Sequence, residues 1–308
     1  MSLGADNFYR SNNVTILPIT FKNQYQMTIA ANLFTPDNLD KSGKTPSIVV
    51  KHLFGAVKEQ RANLYATKMA KKALSRSQWI RPSGVGAKVS HVAGPVPEVF
   101  SAAVHYVGLQ NFVDQEQIGA LGVCASGGFV ISAAKIDSRI KAVATKAMYE
   151  LGTILRHSLG NSQTVEQRKE MPQVHLNSAR LRPQVVRFKR VLRFLPNFAW
   201  RVHSSRNNAE PYDARDTFQQ REAHELLPLN DIDTISPRPL LFVSEDQSLF
   251  REFSEDAFNR AAEPKELYWV PGASHVDLYE RVDLIPFATF ANFFRESFAN
   301  ATTSSEAN

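Results

Sequence analysis

The chain has 308 residues, 43% hydrophobic and 21% charged, which are the proportions of a globular protein with a full core. No apolar run approaches the roughly 20 residues needed to span a bilayer, the polar start Met1–Arg10 carries no signal-peptide core, and a single cysteine excludes an internal disulfide framework or a cysteine metal cluster. The net charge of +6 is confined to residues 151–230, with 13 Lys and Arg against 7 Asp and Glu; the remainder balances at 23 to 23, and without a recognition motif the basic stretch is read as a solvated insertion, not a nucleic-acid site.

In chain order, Val14–Thr20 and Met27–Phe34 are strand-like runs around a polar turn and predict an N-terminal hairpin. Pro46–Val50 is a short continuous apolar run, the pattern of a strand buried on both faces. Helices are expected over Lys58–Lys72 and Phe100–Leu109. Ile118–Val123 is a second buried strand, followed by a turn of small residues and a helical stretch, Phe129–Ile136. Ile140–Ala147, Pro239–Val243 and Glu266–Val270 continue the strands, and Leu284–Phe298 is an amphipathic C-terminal helix. Alternation of this kind predicts an α/β fold with a mostly parallel sheet flanked by helices. The core is expected over 1–149 and 231–300, with 150–230 inserted as a cap and 301–308 as a disordered polar tail that is not a peroxisomal signal.

Chemistry is concentrated at Gly122-Val123-Cys124-Ala125-Ser126-Gly127-Gly128. A strand, a sharp small-residue turn and a helix form a nucleophile elbow, in which the residues two before and two after the nucleophile must be small because strand and helix approach closely. Two registers satisfy that requirement: Cys124 between Gly122 and Ser126, or Ser126 between Cys124 and Gly128. The strand ends at Val123, which favours Cys124 and keeps Ser126 as the alternative nucleophile. The fold requires the order nucleophile, acid, histidine. Asp246 follows the strand at Pro239–Val243, and His275 follows the strand at Glu266–Val270, so His275 is expected to take the proton and Asp246 to orient it; Glu245 and Asp277 are weaker acid candidates. An oxyanion hole needs two backbone N–H groups, here Ala125 and either Leu53 or Phe54 in the loop after Val50, where His52 is read as structural.

With Gly55-Ala56-Val57-Lys58-Glu59-Gln60, Asn230-Asp231-Ile232, Pro237-Arg238-Pro239-Leu240-Leu241 and Pro271-Gly272-Ala273-Ser274-His275-Val276-Asp277-Leu278-Tyr279 added, the chain resembles the fungal polyketide-transferase branch of the α/β-hydrolase fold, which is related to bacterial dienelactone-hydrolase-like proteins. The resemblance covers roughly two thirds of the chain and implies hydrolysis or transfer of a polyketide-type ester or thioester in secondary-metabolite or toxin biosynthesis. Together with the composition, which favours an intracellular protein, the expectation is a cytoplasmic enzyme, its oligomeric state open with a homodimer one alternative, taking a small acyl substrate, free or carrier-bound, with no cofactor, metal, nucleic acid or membrane. Two stretches depart from the pattern. Ala73–Pro82 does not read as the buried strand the family has there, and plausible codons for Lys72–Ser90 read one base earlier, or for Arg215–Leu227 read one base later, can encode family-like sequence. Residues 73–97 and 171–227 are therefore expected to be out of frame relative to relatives, and the competing reading of the chain is a hydrolase-fold protein impaired by a damaged gene copy.

Overall fold

Strands buried on both faces and helices with one apolar stripe can satisfy each other in only a few layered arrangements, and the computed structural model adopts one of them. It describes residues 11–51, 61–72, 78–83, 96–157 and 227–305. The chain divides into two units, Met1–Glu150 with Pro228–Asn308, and Leu151–Leu227. Of the second unit the described part is the helix α4, Leu151–His157, with Leu227, so the expected cap lies almost wholly outside the described residues.

Among its described residues the first unit holds eight strands: β1 (Val14–Lys22), β2 (Thr28–Pro36), β3 (Thr45–Lys51), β4 (Gln78–Ser83), β5 (Val113–Val123), β6 (Ala142–Lys146), β7 (Leu240–Glu245) and β8 (Lys265–Val270). They lie in the order β1-β2-β4-β3-β5-β6-β7-β8. β1 and β2 form the expected antiparallel hairpin, β2 is antiparallel to β4, and every pairing from β4 to β8 is parallel. This is the α/β-hydrolase fold. All residues of β6 and β7 are buried, and both strands open on apolar runs, Ala142–Ala144 and Leu240–Val243, before ending on buried polar residues. The edge strand β8 alternates instead and carries Lys265 and Glu266.

The helices of this unit are α1 (Arg61–Lys72), α2 (Val96–Gly108), α3 (Ala125–Ile136), α5 (Arg251–Arg260), α6 (Asp277–Glu280) and α7 (Phe287–Ser305). α7 packs on α1 and β5. Tyr65 of α1 meets Phe287 and Phe290 of α7 edge-on at 5.3 and 6.3 Å and donates its hydroxyl hydrogen to the Leu278 carbonyl at 2.6 Å, tying α6 to the core. No described helix is long and apolar enough to cross a membrane.

One expectation is corrected. The segment after α1 does hold a strand: Gln78–Ser83 is β4, set between β2 and β3. Its register pairs Trp79 with Ile48 and Ile80 with Val49 on one side, and Trp79 to Ser83 with Phe34 to Ala30 on the other. Arg81 and Pro82 argue against a buried strand by composition, but they lie beyond the three residues that pair with β3, where only the antiparallel neighbour continues. Residues 84–95 and 158–226, which hold most of the remaining out-of-frame expectation, lie outside the described residues.

Candidate active site

β5 delivers its last residue, Val123, to a turn in which Cys124 has φ 61° and ψ −131°. A non-glycine residue at positive φ is costly, of the order of 1–3 kcal/mol, and holds that conformation only when its surroundings impose it. Here they do. Cys124 N–H donates to the Lys146 carbonyl at 2.8 Å, and the Cys124 carbonyl accepts from Gly127 N–H at 2.8 Å as α3 begins. The turn is tight enough that a Cβ on Gly122 would run into the backbone carbonyl of Ser126, and one on Gly127 into Met148. These are the close approaches that small residues at the elbow permit.

The strained turn points the thiol at His275, with Cys124 Sγ 3.7 Å from His275 Nε2. Ser126 is buried in the first turn of α3, its backbone against Gly122. His275 lies between β8 and α6, walled by aromatic rings: Phe250 edge-on at 4.6 Å, Tyr279 edge-on at 5.2 Å and Tyr149 at 6.0 Å, with Tyr149 stacked on Phe250 at 4.9 Å. The Tyr279 hydroxyl is 2.6 Å from His275 Nε2. The hydroxyls of Tyr279 and Tyr149 and the backbone N–H of Ala125 are placed to favour negative charge on the Cys124 sulfur.

The acid beside the histidine is Glu245. Its Oε1 is 3.8 Å from His275 Nδ1, and the side chain is 0% exposed. Asp246, the acid favoured from the sequence, is one residue further along, where β7 has ended. It is partly exposed, and its Oδ1 accepts from Gly272 N–H at 2.8 Å, bracing the turn that leads to His275. Successive residues at a strand's end face opposite sides, so only one of this pair can face the imidazole. Asp277 accepts hydrogen bonds from the backbone N–H and hydroxyl of Ser274. Leu53 and Phe54 lie outside the described residues.

A residue the sequence did not single out completes the cluster. Lys146, the last residue of β6, is 0% exposed; its Nζ lies 3.5 Å from Glu245 Oε1, 3.4 Å from the His275 carbonyl and 4.0 Å from the centre of the Tyr279 ring. Its only signal in sequence was a lysine ending an otherwise apolar strand. Burial sets the protonation states. It pushes Glu245 up to about 7, against the opposing pull of Lys146. It raises the Cys124 thiol above its ordinary value, partly offset by the two tyrosine hydroxyls. It lowers His275 well below 6.5, with the Lys146 charge acting in the same direction. The resting pair is therefore a neutral thiol beside a neutral imidazole.

No family model matches the chain. The chain is 36% identical over 297 residues to the uncharacterized protein PA2218 of Pseudomonas aeruginosa, covering 90% of this chain and 80% of that one. The crystal structure of that protein matches with a TM-score of 0.75 and 33% identity over 96% of this chain and 98% of the other. The uncharacterized protein YcjY of Escherichia coli K12 is 27% identical over 315 residues, 94% of this chain and 98% of its own length. The α/β hydrolase GrgF from Penicillium sp. sh18 matches with a TM-score of 0.69 over 92% and 99% of the two chains, at 17% identity, a likeness of fold.

Proposed function

The chain belongs to the family of α/β-hydrolase-fold proteins that includes PA2218 of Pseudomonas aeruginosa, and we propose that it is an acyl hydrolase or acyltransferase acting through a cysteine nucleophile. The single observation that carries the reading is Cys124, held at positive φ on the elbow with its sulfur 3.7 Å from His275 Nε2. Cys124 attacks the acyl carbon as its proton passes to His275. Ala125 N–H, with a second donor from Leu53 or Phe54, receives the oxyanion. Collapse expels the thiol or alcohol, which takes the proton from the imidazolium and leaves an acyl thioester on Cys124. Water or an acceptor alcohol, deprotonated by His275, then resolves that thioester. Glu245, 3.8 Å from Nδ1, supplies the negative charge that favours the imidazolium, with Asp246 bracing the turn behind it.

The acyl groups proposed are polyketide-type esters or thioesters, free or on a carrier, of cytoplasmic secondary-metabolite or toxin biosynthesis, and residues 150–230 are proposed to cover them as a cap. The resemblance of the elbow and histidine segments supports the acyl class, and a cysteine nucleophile suits thioester exchange, because one thioester is traded for another at little cost.

Incubating the protein with p-nitrophenyl acetate and mapping the acylated peptide by mass spectrometry tests this reading. An acetyl group on Cys124, absent in Cys124→Ala and His275→Ala, is expected. Acylation of Ser126 overturns the cysteine register, and turnover that survives Cys124→Ala overturns the mechanism.

A further inference from the structure

A nucleophile, an acid and a histidine are enough for this chemistry, yet a fourth group meets the histidine at the nitrogen that faces the nucleophile. The Tyr279 hydroxyl is 2.6 Å from His275 Nε2, the same nitrogen that the Cys124 sulfur faces at 3.7 Å, and it is close enough to the sulfur to influence the thiol's ionisation. Tyr279 is fully buried. Its ring is fixed edge-on against the imidazole at 5.2 Å and sits under the Lys146 ammonium at 4.0 Å, so the hydroxyl is presented by a held side chain.

A neutral imidazole has one lone pair in the ring plane, on the nitrogen that carries no proton. The Glu245 carboxyl group beside Nδ1 favours the proton there, which leaves Nε2 as the acceptor. At 2.6 Å that lone pair is already engaged by the Tyr279 hydroxyl. A thiol at 3.7 Å reaches it directly only if the shorter hydrogen bond is given up. A phenol is both donor and acceptor, so a thiol proton passed to its oxygen reaches the nitrogen without the 2.6 Å bond being given up.

Resting on the reading of Cys124 as nucleophile, we infer that Tyr279 is a catalytic residue that relays the proton between the Cys124 thiol and His275 Nε2. As the S–C bond to the acyl group forms, the S–H bond breaks and its proton goes to the Tyr279 oxygen. The proton that oxygen carried goes to Nε2, while the carbonyl electron pair moves onto the oxyanion. The products are a tetrahedral adduct, an imidazolium and a tyrosine as neutral as it began. Burial and the neighbouring groups hold the phenol well above its ordinary value of 10, so it stays neutral throughout and passes a proton without storing a charge. Tyr149 also favours negative charge on the sulfur, and it lies outside the relay.

The test is pre-steady-state acylation by p-nitrophenyl acetate in mixtures of light and heavy water, on the full-length wild type, Tyr279→Phe and Tyr149→Phe, with thermal melts to establish folding. Acylation is followed by nitrophenolate release and by intact mass. Tyr279→Phe is expected to slow acylation by about 100-fold, within the range of general acid–base effects. Its dependence on deuterium fraction should lose one transferring proton relative to wild type, and Tyr149→Phe should keep the wild-type number. Acylation of Tyr279→Phe at the wild-type rate overturns the relay. So does a single transferring proton in the wild type, a result that holds even if Tyr279→Phe does not fold. A wild type that gains no acyl group on Cys124 overturns the nucleophile reading and the relay with it, whereas acylated Cys124 with one proton in flight removes the relay alone.

Discussion

Replacing Lys146 by Met tests whether the buried charge behind the site is an ion pair or merely a well-packed stem. Lys146 Nζ and Glu245 Oε1 are 3.5 Å apart and neither side chain is exposed. Removing one partner of such a pair costs about 3–5 kcal/mol, because it strands the other charge. The pH dependence separates the two explanations. Glu245 has a folded value of about 7 against 4.5 when unfolded. A raised carboxyl binds its proton more tightly in the folded state, so wild-type stability falls by about 3 kcal/mol as pH rises from 4.5 through 7, and is level above that. Lys146 opposes the rise, so in Lys146→Met the carboxyl titrates higher still. Below pH 6 Glu245 is protonated in both proteins, and the pH-dependent part of the difference vanishes. Above 7 the variant alone keeps losing stability, by about 1.4 kcal/mol per pH unit until its carboxyl ionises. Urea unfolding of both proteins at pH 5.5, 7 and 8.5 measures this. A deficit that widens only above 7 is expected. An equal deficit at all three values would refute the ion-pair reasoning and leave only the packing of the lysine stem.

Other expectations follow from the same geometry. Gly122→Ala forces a Cβ into the Ser126 backbone carbonyl, and should cost about 3 kcal/mol in urea unfolding while lowering acylation. Glu245→Gln should reduce kcat/KM by about 100-fold, and Asp246→Asn, which retains an acceptor for Gly272 N–H, by only a few-fold; the reverse order would return the acid's role to Asp246. Alkylation of Cys124 by iodoacetamide should rise with pH only above the ordinary thiol value of 9.0, since burial raises that thiol and keeps His275 neutral. A plateau of reactivity between pH 6 and 8 would instead indicate a resting thiolate–imidazolium pair.

The central strands were legible because burial on both faces leaves a contiguous apolar run: Pro46–Val50 became β3 (Thr45–Lys51), and Pro239–Val243 became β7 (Leu240–Glu245). β5 begins five residues earlier than its apolar stretch, at Val113, because Asp114, Gln115 and Glu116 continue its backbone with partly or fully exposed side chains. β4 was invisible to the same criterion, since arginine and proline interrupt it, and its register against β3 on one side and β2 on the other identifies it. Helix α5, Arg251–Arg260, escaped notice because only Phe253, Ser254 and Ala257 of its residues are buried. At the site, the elbow and the histidine were readable from local turn chemistry. The choice between Glu245 and Asp246 was not, because it depends on which of two adjacent residues faces inward as β7 ends. Lys146 and Tyr279 were beyond reach for a different reason: they come to His275 from β6 and α6, and nothing in their local sequence reports that convergence.

These buried partners bear on how the proton moves. A cysteine that rests as thiolate attacks unassisted, but it is also open to oxidants and alkylating agents. Here burial raises the thiol and lowers the imidazole, so neither carries charge before substrate arrives. The proton must then move as the carbon–sulfur bond forms, and the nucleophile is powerful only while an acyl carbon is in position. The lysine in this arrangement does not make the thiolate cheap. Its charge disfavours the imidazolium that must form, and the same charge helps hold Glu245 as the carboxylate that stabilises that imidazolium. Two opposing effects of one buried ammonium leave the triad poised between protonation states. On the proposed mechanism, the imidazolium that forms is a strong acid for the departing thiol or alcohol, because the same burial and charge that keep His275 neutral at rest favour its giving the proton up.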